Sequence, residues 1–318
     1  MQIRKLVTRS IAALGVALAA VVPAAAQTGF PSKQVTVVVA FPPGGGADLL
    51  GRLLAKKYSE AWGQTVVVIN RPGAAGLIGA KEVARAAPDG HTLLVGASGT
   101  VLTANEAELA PVSPLSTPPN IVAVNATLPV NNLREFVAYA KARPDGSVSF
   151  ASSGAGSSTH LAGELFQSLT QTKLTHIPYK GMGQAVLDLV GGQVTVMFGP
   201  PPALLPHVKS GKLRALAVTS PRRTAILPDL PTAAEAGLPG YEVITWGAIF
   251  APAATPAAIV MRLNQQINAA LQSAEVKERF SRISVEPAGG TPQELAKLIA
   301  SEVRKWTKVI ADAGIPRE

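Results

Sequence analysis

The sequence predicts an α/β fold arranged in two lobes. With 318 residues, 47% of them hydrophobic and 15% charged, the chain has a globular composition and enough length for two cores. A buried strand, a glycine-rich loop and an amphipathic helix follow one another directly over residues 35–58, and again over residues 147–169. Strands that alternate with helices in this way are typical of a parallel sheet with helices on its faces.

The first 26 residues have the features of a secretory signal peptide. Three basic residues precede an apolar run over residues 11–22, and alanines at 24–26 offer a cleavage site before Gln27. The apolar run is shorter than the roughly 20 residues that a membrane span needs. We therefore predict removal of residues 1–26 and export of the mature chain to the periplasm.

The first strand–loop–helix unit has the features of an anion site. Residues 35–39 are all β-branched, which suits a strand buried on both faces, and Pro42 and Pro43 end it. The three glycines that follow let the backbone approach a ligand and permit positive φ, so that successive N–H groups can point into one concavity. Asp48 begins the helix as a cap or first-turn acid. A tight turn that binds nothing would show the same pattern.

The same sheet is predicted to continue through strands at residues 64–70 and 92–95, separated by a second glycine loop and a helix. This succession places the residues after the third strand at the sheet edge that carries the first loop, where open α/β sheets bind ligands. Ser98 and Thr100 are therefore candidate hydroxyl donors. Residues 101–120, which are rich in proline and serine, are predicted to form a loop.

Residues 121–124 are predicted to form a short apolar strand, and a second α/β series begins beyond it with a helix at residues 133–142, where we expect the chain to cross into the second lobe. Its glycine loop follows a strand at residues 147–151 and lies at a helix N-terminus. Gly154 and Gly156 give access to the backbone, and hydroxyl groups come from Ser152, Ser153, Ser157, Ser158 and Thr159. These groups suit carboxylate or phosphate oxygens, although ordinary caps and turn residues would explain some of them.

The rest of the chain completes the two lobes. Further strands are predicted at residues 174–178, 194–198 and 213–218. Tyr179 and Lys180 follow the first of these, where Lys180 is equally compatible with a solvated surface position. Residues 241–250 are predicted to be a long strand that crosses back to the first lobe. The last helix begins with a capping box at residues 291–294, and we assign the C-terminal helices no chemistry.

The composition argues against several classes of function. Without the leader the chain carries 26 basic and 20 acidic side chains, a net charge of +6, and no run of basic and aromatic residues, so a small anion fits better than nucleic acid. The absence of cysteine excludes disulfides, thiol catalysis and cysteine-ligated metals, and the four histidines lack metal-ligand spacing. We predict no metal and no cofactor.

An enzyme is disfavoured because the expected motifs are incomplete. Residues 154–159 partly match the G-x-G-x-x-G dinucleotide fingerprint, but the next strand ends in Pro178, Tyr179 and Lys180 where an acid is expected. Neither a G-x-S-x-G elbow nor an S-x-x-K motif is present. We therefore predict a protein without catalytic activity.

Several motifs, taken in order along the chain, carry a family resemblance. They are F-P-P-G-G-G-A-D at residues 41–48, N-R-P-G-A-A-G at 70–76, P-D-G-H-T-L-L at 88–94, S-S-G-A-G-S-S-T-H at 152–160, P-Y-K-G at 178–181, G-K-L-R-A-L-A-V-T-S at 211–220 and L-P-D-L-P-T-A-A-E-A-G-L-P-G-Y at 227–241, followed by Trp246. Together they resemble the Bug-type extracytoplasmic solute receptors, the substrate-binding subunits of tripartite tricarboxylate transporters. The likeness runs from about Phe30 to the C-terminus, so chance agreement of one loop does not explain it.

The resemblance implies a periplasmic-binding-protein fold of type II, a Venus flytrap of two α/β lobes joined by two crossing strands. Residues 27–122 and 246–318 would form lobe 1, and residues 123–245 lobe 2. It further implies a mono-, di- or tricarboxylate held in the cleft, integral membrane permease subunits as partners, and a monomeric periplasmic receptor. A receptor that signals to a membrane sensor is an alternative that the sequence does not separate from transport.

The resemblance also implies which residues bind the ligand. In the family two glycine loops grip a carboxylate, partly through backbone N–H groups and ordered waters, and a third loop lines the side. Carried over by motif, the ligand-binding residues are Phe41, Pro42, Pro43, Gly44, Gly45, Gly46, Asp48, Ser98, Gly99, Thr100, Ser152, Ser153, Gly154, Ala155, Gly156, Ser157, Ser158, Thr159, His160, Tyr179 and Gly199.

Two departures from the family pattern bear on the ligand. Residues 101–112 lack much of a longer, tyrosine-containing segment, so the cleft wall there is expected to differ. Where many relatives read G-Q-V-D-L-M-F-D, residues 192–199 read G-Q-V-T-V-M-F-G, and both acids are gone. An acid facing the cleft could anchor a ligand ammonium, so we predict a plain organic acid and not an amino acid.

Overall fold

The computed structural model describes residues 29–103, 106–224, 227–285 and 287–312. The predicted signal peptide lies outside these residues. The fold is α/β with two mixed five-stranded sheets, which confirms the predicted class. None of the helices in the described ranges combines the length and the apolar character that a membrane span requires.

The first sheet has the strand order β2-β1-β3-β10-β4. Its strands are β1 (Val35–Val39), β2 (Val66–Asn70), β3 (Thr92–Ala97), β4 (Leu109–Ser116) and β10 (Gly247–Pro252). The first three are parallel, whereas β10 runs antiparallel to both β3 and β4. The helices of this part are α1 (Gly46–Trp62), α2 (Leu77–Ala84), α3 (Ser98–Thr103), α8 (Ala257–Gln272) and α9 (Ala274–Arg282).

The second sheet has the order β7-β6-β8-β5-β9. Its strands are β5 (Ile121–Asn125), β6 (Val148–Ser152), β7 (Leu174–Pro178), β8 (Val196–Gly199) and β9 (Leu213–Val218). Strand β6 is parallel to β7 and β8, and β5 is antiparallel to β8 and β9. The helices α4 (Leu133–Lys141), α5 (Ser158–Thr170), α6 (Met182–Val190) and α7 (Pro201–Lys209) accompany it.

Two segments of the chain cross between the sheets side by side. The N–H of Thr245 donates to the carbonyl of Pro118 over 3.1 Å, and the N–H of Asn120 donates to the carbonyl of Val243 over 3.4 Å. The predicted long strand at residues 241–250 is shorter than expected, because regular pairing is confined to β10 and only an isolated bridge joins Ile244 to Pro119. The division of the chain into lobes at residues 122/123 and 245/246 stays a prediction.

The prediction of a loop over residues 101–120 is wrong, because β4 lies within it. This strand contains Pro111 and Pro114, which lack the N–H that a central strand must donate. It is the edge strand of the first sheet, where proline is tolerated, and its register against β10 shifts twice. The prolines therefore made the sequence of β4 look like a loop, although an edge strand tolerates them.

The last helix, α10 (Pro292–Asp312), contributes to the cores of both sheets. Leu295 and Ile299, in its first half, pack with Trp246 beside the first sheet. Trp306 and Ile310, in its second half, lie in the core of the second sheet. The predicted capping box is confirmed, since the N–H of Thr291 donates to Glu294 over 2.8 Å and the N–H of Glu294 donates to the Thr291 hydroxyl over 3.1 Å.

Candidate ligand-binding cleft

The predicted site residues follow the carboxyl ends of parallel strands in both sheets. Residues 41–48 come after β1 and residues 98–100 after β3, whereas residues 152–160 span the end of β6, Tyr179 follows β7 and Gly199 ends β8. Because the carboxyl ends of parallel strands share one sheet edge, each sheet gathers its candidates on a single side.

The two sheet edges touch one another. A Cβ atom added to Gly99 would lie 2.9 Å from the amide nitrogen of Ser158 and 3.0 Å from the Cα of Ser157. A Cβ added to Gly181 would lie 3.5 Å from the ring of Pro42. Loops that the sequence singled out in each half are therefore brought together where the two sheets meet.

The first glycine loop, residues 41–46 and here called the first cup, is shaped by Asp48. This carboxylate is 4% exposed and accepts hydrogen bonds from the Gly44 N–H over 3.0 Å, Arg52 Nε over 2.9 Å and Asn70 Nδ2 over 2.9 Å. The same Asn70 amide donates to the Phe41 carbonyl over 3.0 Å. Burial alone would raise the pKa of Asp48, but the hydrogen bonds from Arg52, Gly44 and Asn70 hold it below its ordinary value.

The first cup leaves backbone donors at the start of α1. No side chain caps this helix, and the Gly44 N–H is used by Asp48. Within the described chain, no protein acceptor is hydrogen-bonded to the N–H groups of Gly46 and Ala47. Asp48 therefore holds the loop in shape, and the helix N-terminus presents the donors that an anion requires.

The second glycine loop, residues 152–158 and here called the second cup, uses its hydroxyl groups mainly on itself. The Ser157 hydroxyl donates to the Gly154 carbonyl over 2.6 Å and accepts from the His160 N–H as the cap of α5. The Thr159 hydroxyl accepts from the Ser153 N–H over 3.0 Å. Ser157 and Thr159 are thus the cap and turn residues that the more ordinary interpretation expected.

The donors that the second cup keeps are again backbone groups. In the described ranges, the N–H groups of Ser158 and Thr159 at the start of α5 have no protein acceptor, and Ser158 is the residue that faces Gly99. Helix α5 thus begins at the residue that faces Gly99, and α1 follows the loop whose Pro42 faces Gly181, so each sheet has a helix N-terminus with unpaired amides near the contact between the sheets.

Two histidines form hydrogen bonds to residues of the second cup. The ring of His160 stacks on that of His176 with centroids 3.8 Å apart. His160 Nδ1 accepts from the Gly156 N–H over 3.0 Å, and His176 Nε2 lies 2.6 Å from the Ser152 hydroxyl. Sequence reasoning missed His176, which reaches the loop because β7 pairs with β6 and places it opposite Phe150.

Beside the end of β3 the described part of the structure contains a buried hydroxyl and a buried indole without partners. Ser98 Oγ and Trp246 Nε1 are both buried and, among the described residues, neither has a hydrogen-bond partner. The backbones of these residues are joined, since the Ser98 N–H donates to the Trp246 carbonyl over 2.9 Å. Thr100 differs from Ser98, because its hydroxyl donates to the Ala75 carbonyl over 3.2 Å.

Tyr179 and Gly199 are engaged with neighbouring side chains. The Tyr179 hydroxyl donates to Asp188 over 2.7 Å, and burial together with this carboxylate raises the pKa of Tyr179 to about 12. Gly199 is buried, and a Cβ there would lie 2.9 Å from the terminal methyl of Met182. Lys180 is exposed.

Comparison with known proteins gives a consistent result. A family model described as "Tripartite tricarboxylate transporter family receptor" matches residues 50–315. The periplasmic binding protein BugD is 33% identical, with a TM-score of 0.82 and coverage of 91% of this chain and 100% of that one.

Two further solved structures contain ligands. Rpa4515 of R. palustris with adipate is 37% identical, with a TM-score of 0.82, and the match covers 90% of this chain and 99% of that one. MatC (Rpa3494) of Rhodopseudomonas palustris with bound malate is 34% identical, with a TM-score of 0.82 over 88% of this chain and 100% of that one.

Proposed function

This chain belongs to the tripartite tricarboxylate transporter receptor family, and from that premise we propose that it binds a small organic carboxylate between its two sheets and delivers it to a membrane transporter. Receptors of this kind work in the periplasm, which agrees with the predicted signal peptide. The family is one of solute receptors and not of enzymes. The proposal includes integral membrane permease subunits as partners and a monomeric receptor.

One observation supports this proposal, namely that each sheet has a helix N-terminus with unpaired amides near the contact between the sheets. The unpaired amides of Gly46 and Ala47 begin α1, and those of Ser158 and Thr159 begin α5. A helix N-terminus carries partial positive charge and directed N–H donors, so each suits one carboxylate group. The adipate and malate in the two similar structures are dicarboxylates, which suits a site with one anion cup in each half.

Lobe closure links binding to delivery. A ligand that contacts both cups binds better when the sheet edges touch, so it raises the population of that arrangement. A membrane partner that recognises the arrangement with touching lobes then binds mainly receptor that carries a ligand. The same mechanism would serve a sensor, and neighbouring genes for a large and a small membrane subunit would favour transport.

A thermal-shift screen of mono-, di- and tricarboxylates tests the proposal. A ligand present at about 100 times its dissociation constant adds about 2.7 kcal/mol of apparent stability, which raises Tm by several degrees. Choline, an organic cation of similar size, is the control and should leave Tm unchanged. If every carboxylate left the melting curve identical to that of the ligand-free protein, the proposal would be contradicted. Mass spectrometry of the purified protein, done first, would show any ligand that it retains.

The ligand is further proposed to lack an ammonium group. The acids among or in contact with the predicted site residues are already engaged, Asp48 with Arg52, Asp188 with Tyr179, and Glu164 with His160 and Gln167. Gly199 is covered by Met182. An ammonium would therefore lose its hydration without gaining a free carboxylate partner.

Calorimetry checks this choice of ligand class. We expect succinate or a longer unsubstituted diacid to bind at least about tenfold more tightly than aspartate or glutamate, a difference of about 1.4 kcal/mol. Tight binding of aspartate together with no binding of succinate-like or aromatic acids would show that the interpretation of Gly199 is wrong.

A further inference from the structure

We propose that His160 and His176 are positioning residues that hold the second cup in its ligand-binding shape only while the His176 imidazole is neutral, so that acidification loosens the cup and weakens binding. The effect on binding rests on the proposed function, whereas the effect on the cup does not. The two histidines make three contacts here, namely His160 with Gly156, His176 with Ser152, and the two rings with each other.

The contact of His160 with Gly156 fixes one tautomer. Since the Gly156 N–H donates to His160 Nδ1 over 3.0 Å, this nitrogen must carry a lone pair. The proton of the neutral ring is therefore on Nε2, which lies 3.4 Å from a carboxylate oxygen of Glu164. The contact therefore requires an acceptor at residue 160, and it ties Gly156, whose φ of 74° is in the left-handed region, to helix α5.

With His176 neutral, the contact between His176 and Ser152 can use the full hydrogen-bonding capacity of the Ser152 hydroxyl. The Ser152 hydroxyl accepts from the Gly154 N–H over 3.1 Å and lies 3.1 Å from the Gly154 carbonyl. If His176 Nε2–H donates to the same oxygen, the serine uses both lone pairs and gives its single proton to the carbonyl. One histidine thus secures the start of the second cup and the other secures its middle.

The stacked arrangement makes a charge on His176 costly. The rings of His160 and His176 are 3.8 Å apart and 13° from parallel, and Phe150 lies 4.9 Å from His176. One face of the half-buried His176 ring is therefore covered by the buried ring of His160, where an imidazolium would lose hydration.

Few other charges face this pair from the elements packed on α5. Strands β6 and β8 contribute no ionisable side chain. From its own helix Glu164 faces His160, the Tyr241 hydroxyl bonds the Ala162 carbonyl, and on α10 Glu302 accepts from Trp306. Glu164 is therefore the one described carboxylate next to the rings, and it faces His160 and not His176.

The direction of the pH effect follows from the neutral requirement. Burial, and then the neighbouring His160, lower the pKa of His176 from 6.5 to about 4. The folded state therefore binds its proton later than the unfolded chain does. Stability from this group is complete above about pH 6.5 and is lost as the pH falls toward 4, so acid conditions favour the loosened cup.

Hydrogen exchange of the ligand-free protein tests the inference directly. At pH 7.5 and 5.5, after correction for intrinsic exchange rates, we expect the protection of residues 153–158 to fall at least about tenfold in the wild-type protein on acidification. His176→Gln keeps an N–H donor near the position of Nε2 but binds no proton, so its protection should change less than about twofold. His160→Leu has no acceptor and should leave the segment unprotected at both pH values, while peptides of β1 and α1 stay protected in all three proteins.

Adipate binding measured at the same two pH values connects the cup to function. Titration of the ligand itself affects every variant equally, so the informative quantity is the loss of adipate affinity between pH 7.5 and 5.5. We expect this loss to be at least about fivefold greater in wild type than in His176→Gln. Equal losses of protection in these two proteins, or normal protection in His160→Leu at pH 7.5, would overturn the inference. A pH-dependent cup in a protein that binds no carboxylate would support it and refute the proposed function instead.

Discussion

Replacing Gly99 by valine is expected to weaken carboxylate binding about 100-fold, a loss of about 2.7 kcal/mol, while the protein stays folded. Even the Cβ of the new side chain would lie 2.9 Å from the Ser158 nitrogen and 3.0 Å from the Ser157 Cα. These are backbone atoms at the start of a helix, so they cannot turn aside as a flexible side chain would. The sheet edges must separate, and the two cups then no longer reach one ligand together.

The measurement is calorimetric titration with the best carboxylate from the screen, accompanied by small-angle scattering to detect the more open lobes. Gly183→Ala is the matched control, because a Cβ there meets no atom within 4 Å and alanine suits its position in α6. Wild-type affinity in Gly99→Val would show that the ligand does not require the touching edges, whereas Gly183→Ala should bind within about twofold of wild type.

Replacing Asp48 by asparagine is expected to lower the free energy of unfolding by about 3 kcal/mol and to weaken ligand binding about tenfold or more. The carboxylate accepts from Gly44, Arg52 and Asn70, and an amide nitrogen in its place would oppose one of these donors with another. Loss of the Gly44 contact should also free the first cup, so that the donors of α1 are no longer preorganised.

Denaturant unfolding and calorimetric titration measure the two effects of this substitution. Arg52→Gln is the companion variant, because Arg52 is about half exposed and its ion pair with Asp48 contributes about 1 kcal/mol or less. It should keep most of the stability and bind within about threefold of wild type. If Asp48→Asn were as mild as Arg52→Gln, the first cup would not depend on the buried carboxylate.

The strand–loop–helix units were predictable because their signals are local. The β-branched run of β1, the glycines after it and the first-turn Asp48 occur in direct succession, and the structure shows the same order. Strand β4 was not predictable in this way, since only its position at the sheet edge makes Pro111 and Pro114 acceptable. Pairing with β10, which lies far along the chain, decides its structure.

The loops of the candidate site could be predicted from the sequence, but the hydrogen-bond partners of their side chains could not. Ser157 and Thr159 belong to the residue types that either cap a helix or bind an anion, and only the geometry shows that their hydroxyls are used within the second cup. His176 carries no motif of its own and becomes relevant because strand pairing brings it to Ser152. Trp246 was noticed only as part of a family pattern, whereas the structure shows a buried indole N–H without a partner among the described residues.

The C-terminal helix has a consequence for how the molecule comes apart. Leu295 belongs to the core of one sheet and Trp306, farther along the same helix, to the core of the other. Neither half of the chain is then a self-sufficient folding unit, because the core of each sheet is completed by side chains of this one helix. We expect heat to unfold both halves in one cooperative transition. We also expect α10 to keep its contacts with both cores during any hinge motion, while the strands packed against it twist.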